Sequence, residues 1–239
     1  MRSVIAVLLS VSIALAAATC DAGLVVHWAL DESSGTAAAD TSGTGNDGQF
    51  LGSPEPVWQP ASGIIGGALE FASSDDVTVR SQSVPDVTGY PYTIAGWVNT
   101  TANSNDTAVV LSNGESADYS SLRVASTRAF LTVRKGDFFN IGSGAGFNNG
   151  QWHHLVGVAT SSTQRDFYVD GTYIASDSRE VAFLDPEPVK FSIGALDRHN
   201  IVDEYAGLVD DAALWDEALA EPEVFALNNL ARHALNYNA

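Results

Sequence analysis

The segment Gln151–Ile174, QWHHLVGVATSSTQRDFYVDGTYI, constrains the fold of this chain more than any other stretch. His154, Val156 and Val158 alternate with Leu155, Gly157 and Ala159, and Phe167 and Val169 alternate with Asp166, Tyr168 and Asp170. A period of two sends successive side chains to opposite faces of an extended backbone, so both runs read as β-strands. Ser161–Gln164 is the short polar run that a hairpin connection needs. Asp170-Gly171 then supplies two residues that tolerate positive φ, as a two-residue primed turn requires, and leads into a third strand.

The same texture runs through the chain. Clusters of Gly, Ser, Thr, Asp and Asn punctuate short alternating apolar runs, the pattern of an all-β sandwich. Strands are predicted at Gly23–Leu30, at Leu69–Phe71 and Val77–Val79 around a Ser-Ser-Asp-Asp turn, and at Tyr92–Asn99. Ala108–Ser112, Leu122–Ala125, Ala129–Arg134, Lys190–Ala195 and Glu204–Trp215 follow the same rule, and Asp31–Gly48 reads as a long loop. A short helix is predicted over Glu221–Leu230, with Pro222 in its first turn, where a missing N–H costs nothing. One domain over 23–231 with a tail at 232–239 accounts for the whole pattern.

The first 18 residues read as a secretory signal. Arg2 is the basic start, Val4–Ala18 is almost unbroken apolar chain, and Ala16-Ala17-Ala18 ends it with small residues, which puts cleavage between 18 and 22. The run falls short of the ~20 apolar residues that span a bilayer. Cys20 comes just after it, where a lipoprotein carries its lipidated cysteine, but Ala17-Ala18-Thr19 departs from the usual lipobox. An extracellular location is expected, with membrane attachment only if Cys20 is lipidated. As the only cysteine, Cys20 cannot close an internal disulfide.

The formal charge is −18, with 29 acidic residues against 11 basic ones. Such a chain cannot neutralise a phosphate backbone, so nucleic acid is excluded as a partner. The acidic excess serves solubility and also leaves carboxylates that could hold a cation.

Beyond the hairpin, VVHWALDESSGTAAADTSGTGNDGQFLG, GGALEFASSDDVTV, YTIAGWVNT and YAGLVDDAALWDEALAEPEV follow one another along the chain. Their content and order resemble the bacterial laminin-G-like jelly rolls over nearly the whole mature chain. Ala213 stands where that family often has a basic residue, and Trp215 where it often has Tyr. The resemblance implies a two-sheet antiparallel jelly-roll sandwich of the concanavalin A-like, laminin-G-like type with a short C-terminal helix. It also implies a binding or adhesion role.

The resemblance further implies a structural Ca²⁺. Asp40 in an oxygen-rich loop and Asp210 on the last strand resemble the family's ligand positions, and Asn46 of the same loop is the third candidate ligand. The loop half-matches an EF-hand, but Leu51 stands where that motif needs a bidentate Glu. By alternation Asp210 shares a face with Ala212 and Leu214, where a carboxylate must be paired or metal-bound. The alternative is an Asx-turn at Asp40 and backbone N–H donors for Asp210.

Trp28, Trp97 and Trp152 sit in strand patterns and read as core, while Trp215 is undecided. Trp58 in a turn-rich segment, Tyr90, Tyr119 and Phe139 lie at or near predicted loops and are the candidate ligand contacts; the alternative is that each plugs a sheet edge. His153 and His154 are neighbours on a strand, so they face opposite ways and are expected to be structural. No Glu is followed two residues later by Asp, and neither Gly-x-Ser-x-Gly nor His-Glu-x-x-His occurs, so catalysis is not expected. The chain thus reads as a secreted, calcium-stabilised, non-catalytic module that binds a polysaccharide, another glycan or an extracellular protein. A structural or adhesive protein and a glycan-cleaving enzyme on the same fold are the alternatives.

Overall fold

In the computed structural model, which describes residues 23–72, 77–113, 118–184, 189–198 and 200–237 (backbone only at 105 and 231–237), the Gln151–Ile174 segment forms the expected hairpin. The signal segment, Cys20, the Ser-Ser-Asp-Asp turn and the end of the tail lie outside the described residues.

In chain order the strands are β1 (Leu24–Trp28), β2 (Ala37–Ala38), β3 (Gly48–Leu51), β4 (Val57–Gln59), β5 (Ala68–Phe71) and β6 (Thr78–Ser81). Next come β7 (Tyr92–Asn99), β8 (Asn105–Ser112), β9 (Tyr119–Ala125), β10 (Arg128–Lys135), β11 (Asp137–Ala145) and β12 (His153–Ser161). The remainder are β13 (Gln164–Val169), β14 (Thr172–Asp177), β15 (Lys190–Ile193), β16 (Leu196–Asp197), β17 (Ile201–Val202) and β18 (Gly207–Trp215), followed by α1 (Glu221–Tyr237). The first sheet runs β14-β13-β12-β7-β18-β5-β4, with β1 also paired to β18, and the second runs β11-β10-β9-β8-β15-β6-β3-β2. All these pairings are antiparallel, and β16 and β17 form a small ladder of their own. The fold is therefore the expected all-β, two-sheet jelly roll.

The hairpin sequence explains its own geometry. Asp170 and Gly171 hold φ of 54° and 73°, the left-handed values of a primed turn. The Asp170 carboxylate accepts the His154 backbone N–H at 3.0 Å and bonds His153 Nδ1 at 2.8 Å, so the turn residue fastens the start of β12. His154 is buried, with its ring stacked on Trp97 at 4.8 Å between centroids. Both histidines are structural, as predicted. Gly157 lets the sheets approach, because a Cβ there would lie 2.7 Å from Leu131 Cδ1.

The core lies between the sheets. Trp28, Leu69, Ile94, Leu111, Leu122, Phe167 and Phe191 are all fully buried in it. Trp97 is also buried, but on the other side of the first sheet with Ile64, and Trp152 is half-buried against that pair. Trp215 is buried too, under α1, where Val224 and Leu227 pack on Val156, Val158, Tyr168 and Ala213. Glu223 accepts the Ala220 N–H at 2.7 Å, half of a capping box, and Glu221 and Glu223 suit the positive end of the helix dipole. The helix continues to Tyr237, past the predicted end at Leu230 and past the domain boundary at 231, because nothing in ARHALNY breaks it. No helix among the described residues is long and apolar enough to cross a membrane.

Two expectations are corrected. Asp210 does not share a face with Ala212 and Leu214. A β-bulge after Asp210, with Asp211 at φ 45°, inserts an extra residue, so Val209, Ala212 and Leu214 face the core while Asp210 lies opposite Trp97 on the outer side. The second concerns Phe139, expected at or near a loop: it lies in β11, which carries Gly142 and Gly144 and no strong alternation. That segment becomes a strand by pairing with β10 at the sheet edge.

Candidate functional site

The three expected calcium ligands occupy different environments. Asp40 Oδ1 accepts N–H from His27 and Ser42 at 3.0 Å each, and Oδ2 accepts Thr44 Oγ1–H at 2.9 Å and Asn46 N–H at 2.8 Å. These donors hold the Asp40 carboxyl below the usual range against the opposing effect of burial. Asn46 spends its amide N–H₂ on the Val25 carbonyl and Thr44 Oγ1. Asp210 accepts N–H from Ile64, Ile65 and Asp211. N–H groups converge on these carboxylates, the opposite of what a hard cation needs from its surroundings. Among the described residues no three His, Cys, Asp or Glu side chains gather into a metal-binding group. As arranged, Asp40, Asn46 and Asp210 do not fit a calcium site.

The candidate ligand aromatics are also separated. Trp58 is a residue of the edge strand β4, where its Nε1 donates to the Gly35 carbonyl at 2.8 Å and its ring packs 5.2 Å from Phe50. Tyr90 donates its hydroxyl to the Val181 carbonyl at 2.9 Å and stacks on Tyr92 at 5.6 Å. Trp58 thus covers a sheet edge, and Tyr90 packs under the 181–184 segment. Phe139 packs toward the core, with the Arg179 guanidinium 4.5 Å from its ring centroid. Tyr119 lies in β9 and is only 2% exposed, at the border of a distinct surface.

That surface is the outer face of the second sheet. Leu122, Val124, Leu131, Val133 and Ile141 point into the core, so alternation turns their neighbours outward. Register then aligns three rows across β9, β10 and β11: Tyr119, Arg134 and Phe138; Ser121, Thr132 and Asn140; Arg123, Phe130 and Gly142. Arg123, Ala125, Phe130 and Asn140 line a depression of about 170 Å³. Phe130 lies across Gly142, where an added Cβ would come within 2.5 Å of the ring. The Arg128 guanidinium sits 5.1 Å from the Phe130 centroid, and its Nε–H is tied to the Ser143 carbonyl at 2.7 Å. Thr132 donates to the Asn140 amide oxygen at 2.7 Å, so Asn140 offers Nδ2 as its remaining group. Phe138 is 53% exposed, with the Arg134 guanidinium 4.8 Å from its centroid.

The β16–β17 hairpin borders this surface. Leu196 and Val202 pack on Val110 and Tyr119, and Asp197 pairs with Arg80 at 3.1 Å. Burial pushes the Tyr119 hydroxyl above its ordinary pKa, while the positive charges of Arg123, Arg134 and Arg198 pull it down and Asp203 pushes it up. Tyr119 thus lies within the field of three arginines, with Arg134 directly opposite it. Sequence reasoning missed Arg123, Phe130, Arg134 and Asn140, since without β11 the rows cannot be assembled. The one usable signal was alternation in Ala129–Arg134, which already turned Phe130 and Arg134 to one side.

Domain 4 of AbnA, a GH43 extracellular arabinanase from Geobacillus stearothermophilus solved with arabinotriose, shares the fold. Its TM-score is 0.71 at 17% identity, covering 87% of this chain and 98% of that one. The binding domain of Paraclostridial Mosquitocidal Protein 1 aligns with a TM-score of 0.64 at 15% identity, covering 87% of this chain and 52% of the other. That of Botulinum Neurotoxin DC in complex with SialylT gives 0.65 at 14% identity, covering 88% and 52%. The chain spans about half the length of those two toxin structures. No curated protein matches the chain in sequence. At these identities the structures establish the fold alone. A laminin-G-type family model, described as the concanavalin A-like lectin/glucanases superfamily, matches residues 71–225, more than half of the chain, and the protein belongs to that superfamily.

Proposed function

We propose that this protein is an extracellular, non-catalytic module that binds a glycan on the outer face of its second sheet. The depression between Arg123, Ala125, Phe130 and Asn140 carries the reading. A fixed aromatic ring offers its face to sugar C–H groups, and guanidinium and amide donors at its edge set orientation. The arabinotriose-bound neighbour shows that the same fold holds a sugar, which supports the reading by analogy. The apolar leader at residues 1–18 supports secretion. Calcium has no part in this proposal, because the Asp40 and Asp210 carboxylates already accept protein N–H groups.

The test is binding to an immobilised polysaccharide panel by the wild type and by Phe130→Ala, with melting curves to show that the variant is folded. Retention of one or more polysaccharides that is lost in Phe130→Ala is the expected outcome. Equal retention by both proteins would move the site elsewhere. A protein-contact reading rests on Phe225 and Leu230, which are 55% and 67% exposed on α1. It takes over if no polysaccharide is retained.

A further inference from the structure

We infer that the outer face of the second sheet recognises a carboxylate-bearing sugar, a uronic acid residue within a glycan, through the guanidinium groups of Arg123 and Arg134. This rests on the glycan reading above and narrows its substrate class.

The distribution of charge is the first observation. Register places Arg80, Arg123, Arg128, Arg134 and Lys190 on this face, and Arg198 follows β16 in the hairpin that borders it. These make up more than half of the 11 Lys and Arg residues in a chain of net charge −18. An acidic protein has gathered its scarce cations on one surface.

How those cations are used is the second. Arg80 is paired with Asp197 at 3.1 Å, and Arg128 is bonded to the Ser143 carbonyl. Arg123, Arg134 and Arg198 have no ion pair among the described residues, and the Nε of each is buried without a hydrogen-bond partner. Buried polar groups in folded proteins nearly always find a partner, so orphaned guanidinium donors along this face call for an explanation. Beside Asp197, which is spent on Arg80, Asp203 and Asp106 act on this patch; burial and the charge of Asp203 raise Asp106 against its hydrogen bonds and the charge of Arg123. A planar guanidinium matches a carboxylate through two parallel N–H···O bonds, which suits the unpaired arginines.

Space and the whole-molecule field then select the ligand. The depression next to Arg123 measures about 170 Å³, enough to seat a sugar ring. Phe130, pressed against Gly142, gives that ring an apolar platform. A dense polyanion would be repelled by the surrounding charge of −18, whereas one carboxylate on an otherwise neutral glycan meets only the local arginines.

The experiment uses polysaccharides with sparse uronates, glucuronoxylan first, each paired with its carboxyl-reduced form, in affinity electrophoresis and calorimetry. Dextran sulfate and poly-glutamate serve as comparison anions. Wild type, Arg123→Gln, Arg134→Gln and Arg123→Lys are compared, with thermal melts to establish that each is folded. We expect binding to the uronate form to fall by about tenfold or more on carboxyl reduction, and by a similar factor in Arg123→Gln and Arg134→Gln. Arg123→Lys keeps part of it, since charge survives but the planar fork does not. Equal affinity for both members of each pair, or full affinity in folded Arg123→Gln and Arg134→Gln, overturns the inference while the glycan reading stands. Dextran sulfate or poly-glutamate bound as tightly as the uronate glycan overturns the uronate assignment. Failure to bind any polysaccharide, neutral or acidic, overturns both.

Discussion

The carboxylate of Asp210 accepts the backbone N–H of Ile64 at 2.7 Å across 146 residues of sequence, and it also holds the N–H groups of Ile65 and Asp211. The bulge at Asp211 is what turns this carboxylate outward, under the 60–67 loop. That loop comes close enough only because Gly63 has no side chain: a Cβ there would lie 1.7 Å from the Gly67 carbonyl oxygen and 2.6 Å from Asp210 Oδ2. A carboxylate that resembles a metal ligand in sequence is, in the fold, a loop anchor.

Asp210→Ala should therefore destabilise the fold by about 3 kcal/mol, because it leaves three backbone donors without their acceptor. Asp210→Asn, which keeps an acceptor oxygen, should cost less. Urea unfolding of both variants checks the order, and equal midpoints for wild type and Asp210→Ala would remove the anchoring role.

The same group gives a pH signature. Burial, and then the charge of Asp211, push Asp210 up to about 8 despite its three N–H donors. An unfolded Asp titrates near 3.9, so between about pH 4 and 8 the native state holds a proton that the unfolded state has lost. The contribution is fully present below about pH 4 and declines as pH rises towards 8. Melting temperatures of wild type measured against Asp210→Asn should thus fall from pH 4 to 8; a constant difference would show that the carboxyl titrates in its ordinary range.

Arg165 is fully buried, and it donates to the Ser162 carbonyl and to Asp177 Oδ2 at 2.9 Å each and to the Arg179 carbonyl. Burial would raise Asp177, but its bonds to Arg179 and Arg165 together hold it below the usual carboxylate range. Arg165→Met should cost about 3 kcal/mol, the expense of stranding the groups that the guanidinium serves. Chemical denaturation of Arg165→Met and of Arg165→Met with Asp177→Leu should show part of that loss recovered in the double variant.

Calcium offers a direct contrast. Any ligand that binds only the native state raises the melting temperature as its concentration rises. With Asp40 satisfied by four protein donors, millimolar calcium added to chelator-treated protein should move the melting temperature by less than about 1 °C. A rise of several degrees would restore calcium to the Asp40 loop.

Gly142→Val probes the sugar platform while leaving Arg123 and Arg134 unaltered, although its Cβ would also crowd Arg128 Nη2 at 3.0 Å. Its side chain would displace the Phe130 ring, since a Cβ alone already reaches 2.5 Å. Glycan affinity should drop about tenfold, with the melting temperature little changed because Gly142 faces outward on the edge strand β11. Calorimetry with the glycan retained by wild type reads the outcome.

Local pattern alone sufficed for much of this protein. Alternation in β12 and β13, the Asp170-Gly171 turn and the start of α1 depend on residues near one another in the chain, and all were legible. Net charge was legible as a total of −18, but a total carries no position, so the exclusion of polyanions could not reveal cations concentrated on one face. What only the tertiary structure decided was parity and partnership. One extra residue at the Asp211 bulge reversed the face of Asp210, and one glycine-rich edge strand set Phe138 outward and Phe139 inward. Both depend on hydrogen bonds to strands distant in sequence, whose register no local period encodes. The arginine cluster is a product of that same register: Tyr119 and Arg134 are 15 residues apart along the chain and directly opposite across β9 and β10.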